Sequence, residues 1–173
     1  ALSLAKSRRL MGVGGGSGMV LSAALERWPR LNGVLFDLPS VVPSGRQRFA
    51  AVGLAERTEV IGGSFRDDPL PDGADTISLV RVLYDHADNT VTALLKQVHA
   101  VLPSGGRLIV SEPMLGHKNT DTYFATYTLA MGTGKTRSPD EIAALLVGAG
   151  FAGVQPVRTN RQFLTSVVTA LRP

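Results

Sequence analysis

The sequence predicts an α/β fold, a doubly wound Rossmann-like sheet that is mostly parallel with an antiparallel strand at one edge. Three observations predict it. Short apolar runs of the buried-strand type alternate with segments of helical spacing, which makes successive βαβ units. The first run ends in a glycine cluster that opens a helix. Two more apolar runs follow the last helix with a short connection between them, as in an antiparallel hairpin.

The elements follow in order. Arg8–Val13 is the first strand, and it enters Gly14-Gly15-Gly16-Ser17-Gly18. Met19–Trp28 has helical spacing through Val20, Leu21, Ala24 and Leu25, and Pro29 stops it. Gly33–Asp37 is a short buried-type strand closed by Pro39, and Pro43–Leu54 reads as a helix with Gly53 near its end. Glu59–Ile61 and Asp75–Leu83 are strands. Asp88 is the expected N-cap of a helix running to Val101. Pro103-Ser104-Gly105-Gly106 is a turn before a strand at Arg107–Ser111, and Thr122–Met131 is helical. Ser138-Pro139-Asp140-Glu141 is a strong helix start, with Ser as cap, Pro at the first helical position and Glu141 three residues on. That helix ends at Gly148-Ala149-Gly150, and Val154–Val157 and Phe163–Ala170 close the sheet.

Composition bounds the function. The chain has 173 residues, 44% hydrophobic and 18% charged, which suits one globular domain with a real core. It has no cysteine, so a disulfide scaffold, a thiolate zinc site and a cysteine nucleophile are excluded, and no metal is expected. The net charge of +4 comes from scattered cations such as Lys6, Arg8, Arg9, Arg46, Arg158 and Arg161, a pattern that does not suit nucleic-acid binding. No apolar run approaches the ~20 residues of a membrane span, and Ala1–Arg9 does not read as a signal peptide. The chain starts at Ala1 and reaches its first strand by about residue 10, so it is expected to be part of a longer protein.

The glycine loop carries chemistry. Gly12, Gly14, Gly15, Gly16 and Gly18 exceed the needs of a tight βα turn, which is the alternative reading. The dinucleotide pattern G-x-G-x-x-G fails in either register, because Ser17 or Met19 would hold its last position. What fits is G-x-G-x-G over Gly14, Gly16 and Gly18. Asp37 ends the second strand 23 positions after Gly14, where a carboxylate can accept hydrogen bonds from ribose hydroxyls. A turn or cap role is the alternative for Asp37. The pair points to an adenosine-containing cofactor. Gly134-Lys135-Thr136 imitates the end of a phosphate loop, but Leu129 stands where its first glycine is required, and the preceding segment reads as helix.

With these segments the chain resembles the cofactor domain of the plant-type small-molecule O-methyltransferases, which use S-adenosylmethionine (SAM) and release S-adenosylhomocysteine (SAH). The likeness is carried by residues 10–18 and 33–39, by Val60-Ile61-Gly62-Gly63-Ser64-Phe65, and by Arg81-Val82-Leu83-Tyr84-Asp85-His86. Residues 102–112 and Gly148-Ala149-Gly150-Phe151 extend it over nearly the whole chain, in the family's order. Ser78–His86 and Val110-Ser111-Glu112-Pro113-Met114 resemble most closely the bacterial carotenoid hydroxyl O-methyltransferases of the hydroxyneurosporene or demethylspheroidene type. The resemblance implies a SAM methyltransferase sheet over residues 1–173 and an N-terminal helical, dimerising domain elsewhere. It implies a hydrophobic small-molecule substrate, most simply a carotenoid tertiary alcohol in the carotenoid biosynthesis of a photosynthetic bacterium. It implies a homodimer, and a cytoplasmic enzyme that meets its lipid-soluble substrate peripherally at a membrane.

The resemblance also implies residue roles. Gly14, Gly15, Gly16 and Gly18 line the methionine part of SAM, Asp37 holds the ribose and Leu38 touches the adenine. Ser64 and Phe65 stand at the adenine-contacting position, where an acid and an apolar residue are usual, and Arg81 replaces a common Lys. Gly12 replaces an acid near the cofactor's amino group. The family's catalytic His is Tyr84 here, Glu112 matches one of the two acids that orient it, and the second acid falls at Thr136.

Methyl transfer from a sulfonium to oxygen needs alignment and exclusion of water, with a base to take the hydroxyl proton. Three side chains compete. Tyr84 is neutral unless its pKa falls far below ~10. His86 has a suitable intrinsic pKa and, in an extended segment, shares a side with Tyr84 while Asp85 points away. Glu112 ends a strand at the usual ligand crevice. His86 is the expected proton acceptor, with Tyr84 and Glu112 shaping the site. His99 and His117 have no expected role. Two readings stay open beside carotenoid O-methylation: a polyketide or phenolic acceptor, and a SAM-binding module without catalysis.

Overall fold

A computed structural model of the protein describes residues 2–116, 118–157 and 165–173. His117, the cations Arg158 and Arg161, and residues 163 and 164 of the final expected strand lie outside the described residues. The elements are β1 (Arg9–Val13), α1 (Met19–Arg27), β2 (Asn32–Asp37), α2 (Val42–Ala51), β3 (Thr58–Gly62), β4 (Thr76–Val80), α3 (Asp88–Val101), β5 (Arg107–Glu112), α4 (Lys118–Met131), α5 (Pro139–Gly148), β6 (Ala152–Val157) and β7 (Ser166–Leu171). Single 3-10 turns occupy Ala55–Arg57 and Leu83–Asp85.

The strands form one sheet in the order β3-β2-β1-β4-β5-β7-β6. β1 to β5 pair in parallel, and β7 runs antiparallel to both β5 and β6, so the last two strands make the expected edge hairpin. Strand periodicity sends alternate residues to opposite faces. In β2, Val34 and Phe36 join the core under α3 and α5, whereas Leu35 joins a second core with Leu21 and Leu25 of α1 and Phe49 of α2. Helices on both faces are why the parallel strands read as nearly continuous apolar runs. The order reverses between β1 and β4, and a crevice opens there at the strands' carboxyl ends.

Local chemistry sets the element ends. Ser138 and Glu141 form the reciprocal cap expected of them: the Glu141 N–H donates to Ser138 Oγ at 3.2 Å and the Ser138 N–H to Glu141 Oε2 at 2.8 Å. Asp88 is not the cap of α3. Ala87 takes that place, and Asp88 is the first helical residue, bound to Arg137. α2 stops at Ala51, short of Leu54, because Gly53 has φ 69° and turns the chain. β4 stops at Val80 and not Leu83, since Arg81 has φ 58° and the next three N–H groups turn to Glu112.

Candidate active site

The loop after β1 holds the chain close to its neighbours. Gly18 has φ 75°, and a Cβ there would lie 2.5 Å from Phe49 Cζ, so only glycine fits. Gly16 has φ 59°, but its Cβ would meet nothing within 4 Å. The Gly16 N–H donates to Asp37 Oδ2 at 2.7 Å, and the Leu38 N–H donates to Asp37 Oδ1 at the same distance. Asp37 thus ties the glycine loop to the end of β2 while its carboxylate stays partly exposed.

A cleft of about 410 Å³ opens over these strand ends, within the range of small-molecule sites. Gly14, Asp37, Leu38, Ser64, Phe65, Arg81, Asp85 and His86 line it, with Gly63, Arg66 and Val82. A smaller hollow of about 60 Å³ adjoins Gly14 and includes Gly12 and Gly15. The Ser64–Phe65 wall is held from both sides: Asp68 Oδ2 accepts from the Ser64 N–H at 2.8 Å, and Gln97 of α3 donates to the Phe65 carbonyl at 2.9 Å. Phe65 meets His86 edge to face at 5.3 Å.

The segment from Arg81 to His86 is where structure and sequence expectation part. An extended segment, as the sequence predicts, would put Tyr84 and His86 on one side and Asp85 on the other. Residues 83–85 form a 3-10 turn instead, so successive side chains fan out. Asp85 and His86 line the cleft together, and Tyr84 turns inward. The Tyr84 ring, 5% exposed, packs on Phe124 and Tyr127 of α4 at 6.0 and 5.6 Å. Burial pushes its phenol up to about 12. The Arg81 guanidinium lies 5.8 Å from the ring centre, a cation–π distance.

Glu112 holds this turn from below. It is 1% exposed; Oε1 accepts the N–H groups of Val82 and Leu83 at 2.9 Å each, and Oε2 that of Tyr84 at 3.4 Å. Burial raises its pKa to about 7 against the pull of these three donors. Arg137, 2% exposed, holds the turn from above. It donates to the carbonyls of Leu83 and His86 at 2.9 Å each and to Asp88 Oδ1 at 2.7 Å through Nη2. The opposing partners hold the backbone of the turn in one register.

His86 Nδ1 lies 3.0 Å from a guanidinium nitrogen of Arg66. Arginine only donates, so Nδ1 accepts and Nε2 carries the ring's hydrogen. Burial, then Arg66 and Arg137, push the imidazole below its ordinary pKa. Asp85 moves the other way: burial raises its carboxyl, with Arg81 and the Tyr84 hydroxyl opposing. Asp85 Oδ1 is shut from water and has no hydrogen-bond partner.

Sequence reasoning missed Arg66, Arg137 and the cleft position of Asp85. A lone arginine before a capping serine carries no signal, and the 3-10 turn that brings Asp85 to the cleft has none in the local pattern. Lys135, from the false phosphate-loop motif, pairs with Asp88 at 3.3 Å and Glu141 at 3.1 Å.

Comparison with known proteins agrees with this geometry. A demethylspheroidene O-methyltransferase of Cereibacter sphaeroides is 54% identical over 96% of this chain and 45% of its own length. That of Rhodobacter capsulatus is 50% identical over 99% of this chain and 43% of its own. This chain therefore spans less than half the length of either curated relative. Human N-acetylserotonin methyltransferase, solved in complex with SAM, superposes with a TM-score of 0.84 at 28% identity, over 99% of this chain and 49% of that one. The O-methyltransferase domain model matches residues 1–152. With that match over most of its length, and with a cleft at the point where its strand order reverses, the chain belongs to the O-methyltransferase domain family.

Proposed function

We propose that residues 1–173 are the SAM-binding catalytic domain of an O-methyltransferase, and that its acceptor is a hydroxyl on a hydrophobic small molecule, a carotenoid tertiary alcohol of the demethylspheroidene type. The observation that carries this reading is the 50–54% identity to two demethylspheroidene O-methyltransferases over nearly the whole chain.

The residues present fit the cofactor. Asp37 offers a carboxylate for ribose hydroxyls, beside a glycine loop whose Gly16 position leaves open space. Leu38, 48% exposed, and the Phe65–His86 pair offer apolar and aromatic surface for a purine, and Ser64 a hydroxyl at its edge. Arg81 supplies a positive charge for the carboxylate of an amino-acid end. When bound, SAM supplies a methyl group on a positively charged sulfur, open to displacement by oxygen. The chain's own work is alignment. Glu112 and Arg137 hold the Leu83–His86 turn so that the groups facing the acceptor do not wander. Tyr84, neutral at ordinary pH, supports the wall and does not take a proton.

A carotenoid acceptor is lipid-soluble, so peripheral contact with a membrane and a homodimer built by further sequence belong to the same proposal. Among the described residues no helix is long and apolar enough to cross a membrane. The test is methyl transfer from labelled SAM by the full-length protein, offered a carotenoid tertiary alcohol or a phenolic acceptor. Label in the carotenoid ether supports the reading. Transfer to the phenol alone moves the substrate class, and no transfer to either leaves a SAM-binding module.

A further inference from the structure

Resting on that reading, we infer that Asp85 is the proton acceptor of the reaction. The argument is one of unused lone pairs in the titratable groups around the Leu83–His86 turn. Glu112 is sealed below the turn, and its two oxygens already serve three backbone N–H groups. Tyr84 is a buried phenol whose loss of a proton is made harder by burial. His86 reaches the cleft, but Arg66 takes the lone pair of Nδ1, and Nε2 is then the protonated nitrogen. In that tautomer the ring's one basic lone pair, on Nδ1, is engaged by the Arg66 guanidinium. Asp85 lines the same cleft; its Oδ1 is shut from solvent without a partner, which leaves the carboxylate under-solvated and its other oxygen, Oδ2, as the one to meet a cleft-bound hydroxyl. An under-solvated carboxylate is a stronger base than an ordinary one, and its raised pKa agrees with that position.

The step balances. The acceptor oxygen forms a bond to the methyl carbon as its own proton passes to the Asp85 carboxylate. The methyl–sulfur bond breaks, its electron pair stays on sulfur, and the positive charge there is lost. Because a tertiary alcohol is poorly acidic, the proton leaves late, while the new carbon–oxygen bond is forming. A carboxylate of raised pKa then suffices without ionising the alcohol at rest. Among the described residues, Arg81 and Tyr84 from the same segment, and Glu112 from the end of β5, are the titratable or charged groups acting on Asp85. His86 follows it directly in the chain, with Arg66 beyond.

The experiment compares wild type, Asp85→Asn, Asp85→Glu and His86→Gln in the full-length protein. It measures turnover on the carotenoid alcohol against pH and SAH affinity by calorimetry. Asp85→Asn is expected to lower kcat by roughly 10²-fold or more, the lower range for acid–base catalysis, with SAH affinity unchanged. Wild-type kcat should rise with pH through the Asp85 ionisation. That acid limb should vanish in Asp85→Asn and persist in Asp85→Glu and His86→Gln. Asp85→Asn turnover within about threefold of wild type would overturn the inference and leave the methyltransferase reading standing. Loss of SAH binding in Asp85→Asn would overturn it too, making Asp85 a cofactor ligand. An acid limb that disappears only in His86→Gln would return the role to the imidazole. A wild-type protein that transfers no methyl group at all would overturn the reading and the inference with it.

Discussion

Two opposing effects set the charge of Glu112: burial favours its neutral form, and three backbone donors favour the anion. Burial wins, so the folded chain releases this proton near 7, whereas the unfolded chain does so near 4.5. Between those values the folded state binds more protons, and stability falls as pH rises across that window and levels off above it. The span is roughly 3 kcal/mol at most. Asp85 adds the same sign, and His86, pushed below its ordinary value, adds the opposite sign below about 6.5. Urea midpoints should therefore drop from pH 5 to 7 in the wild type, and Glu112→Gln should flatten that slope. Glu112→Ala should behave differently, leaving buried N–H groups without acceptors at about 1–3 kcal/mol each. Asp37 gives a second residue-scale test. Asp37→Ala is expected to weaken SAM binding by about 1.5–3 kcal/mol, the worth of hydrogen bonds to a charged group. Calorimetry with unchanged affinity would refute its ribose role. Asp37 is also more than a ligand, because it accepts the Gly16 and Leu38 N–H groups. The identity of such residues was legible in the sequence; their partners were not.

At the scale of elements, the glycine loop separates two reasons for glycine. Gly16 and Gly18 both need positive φ, but only at Gly18 does a buried ring, Phe49, occupy the Cβ position. Gly16→Ala should cost only backbone strain, about 1 kcal/mol, whereas Gly18→Ala should cost a further 1–3 kcal/mol from overpacking. Thermal melts of the two variants check the order, at roughly 2–4 °C per kcal/mol for a chain this size. Ser138→Ala should cost about 1 kcal/mol by the same measure, because the cap is reciprocal. Local rules read α5 well from sequence, since its reciprocal cap and periodicity act over a few residues, whereas the cap of α3 is Ala87 and not Asp88. They misjudged β4 and the turn after it. Val82 and Leu83 look like strand residues, yet Glu112 and Arg137, 25 or more positions away in the chain, draw them into a 3-10 turn.

For the whole molecule, the described residues build two cores, one on each face of the sheet. The cleft, by contrast, leaves Leu38 48% exposed, and the two curated relatives are more than twice as long as this chain. Residues 1–173 alone are therefore expected to bind SAH but not to turn over a carotenoid alcohol, because an open site neither excludes water nor holds the acceptor in line. Calorimetry with SAH and a labelled-SAM assay on the same sample would check both halves. Full turnover by the 173-residue chain would contradict the second.

By itself the sequence determined the α/β class, the order of strands and helices, and the glycine loop with its acid. Each of these is written in short-range periodicity or in fixed spacing, where burial and backbone sterics act on neighbouring residues. Only the tertiary structure decided which titratable groups of the Leu83–His86 turn have lone pairs to offer. That property depends on Arg66, Glu112 and Arg137 arriving from distant elements, and a hydrogen bond made through space leaves no period in the chain.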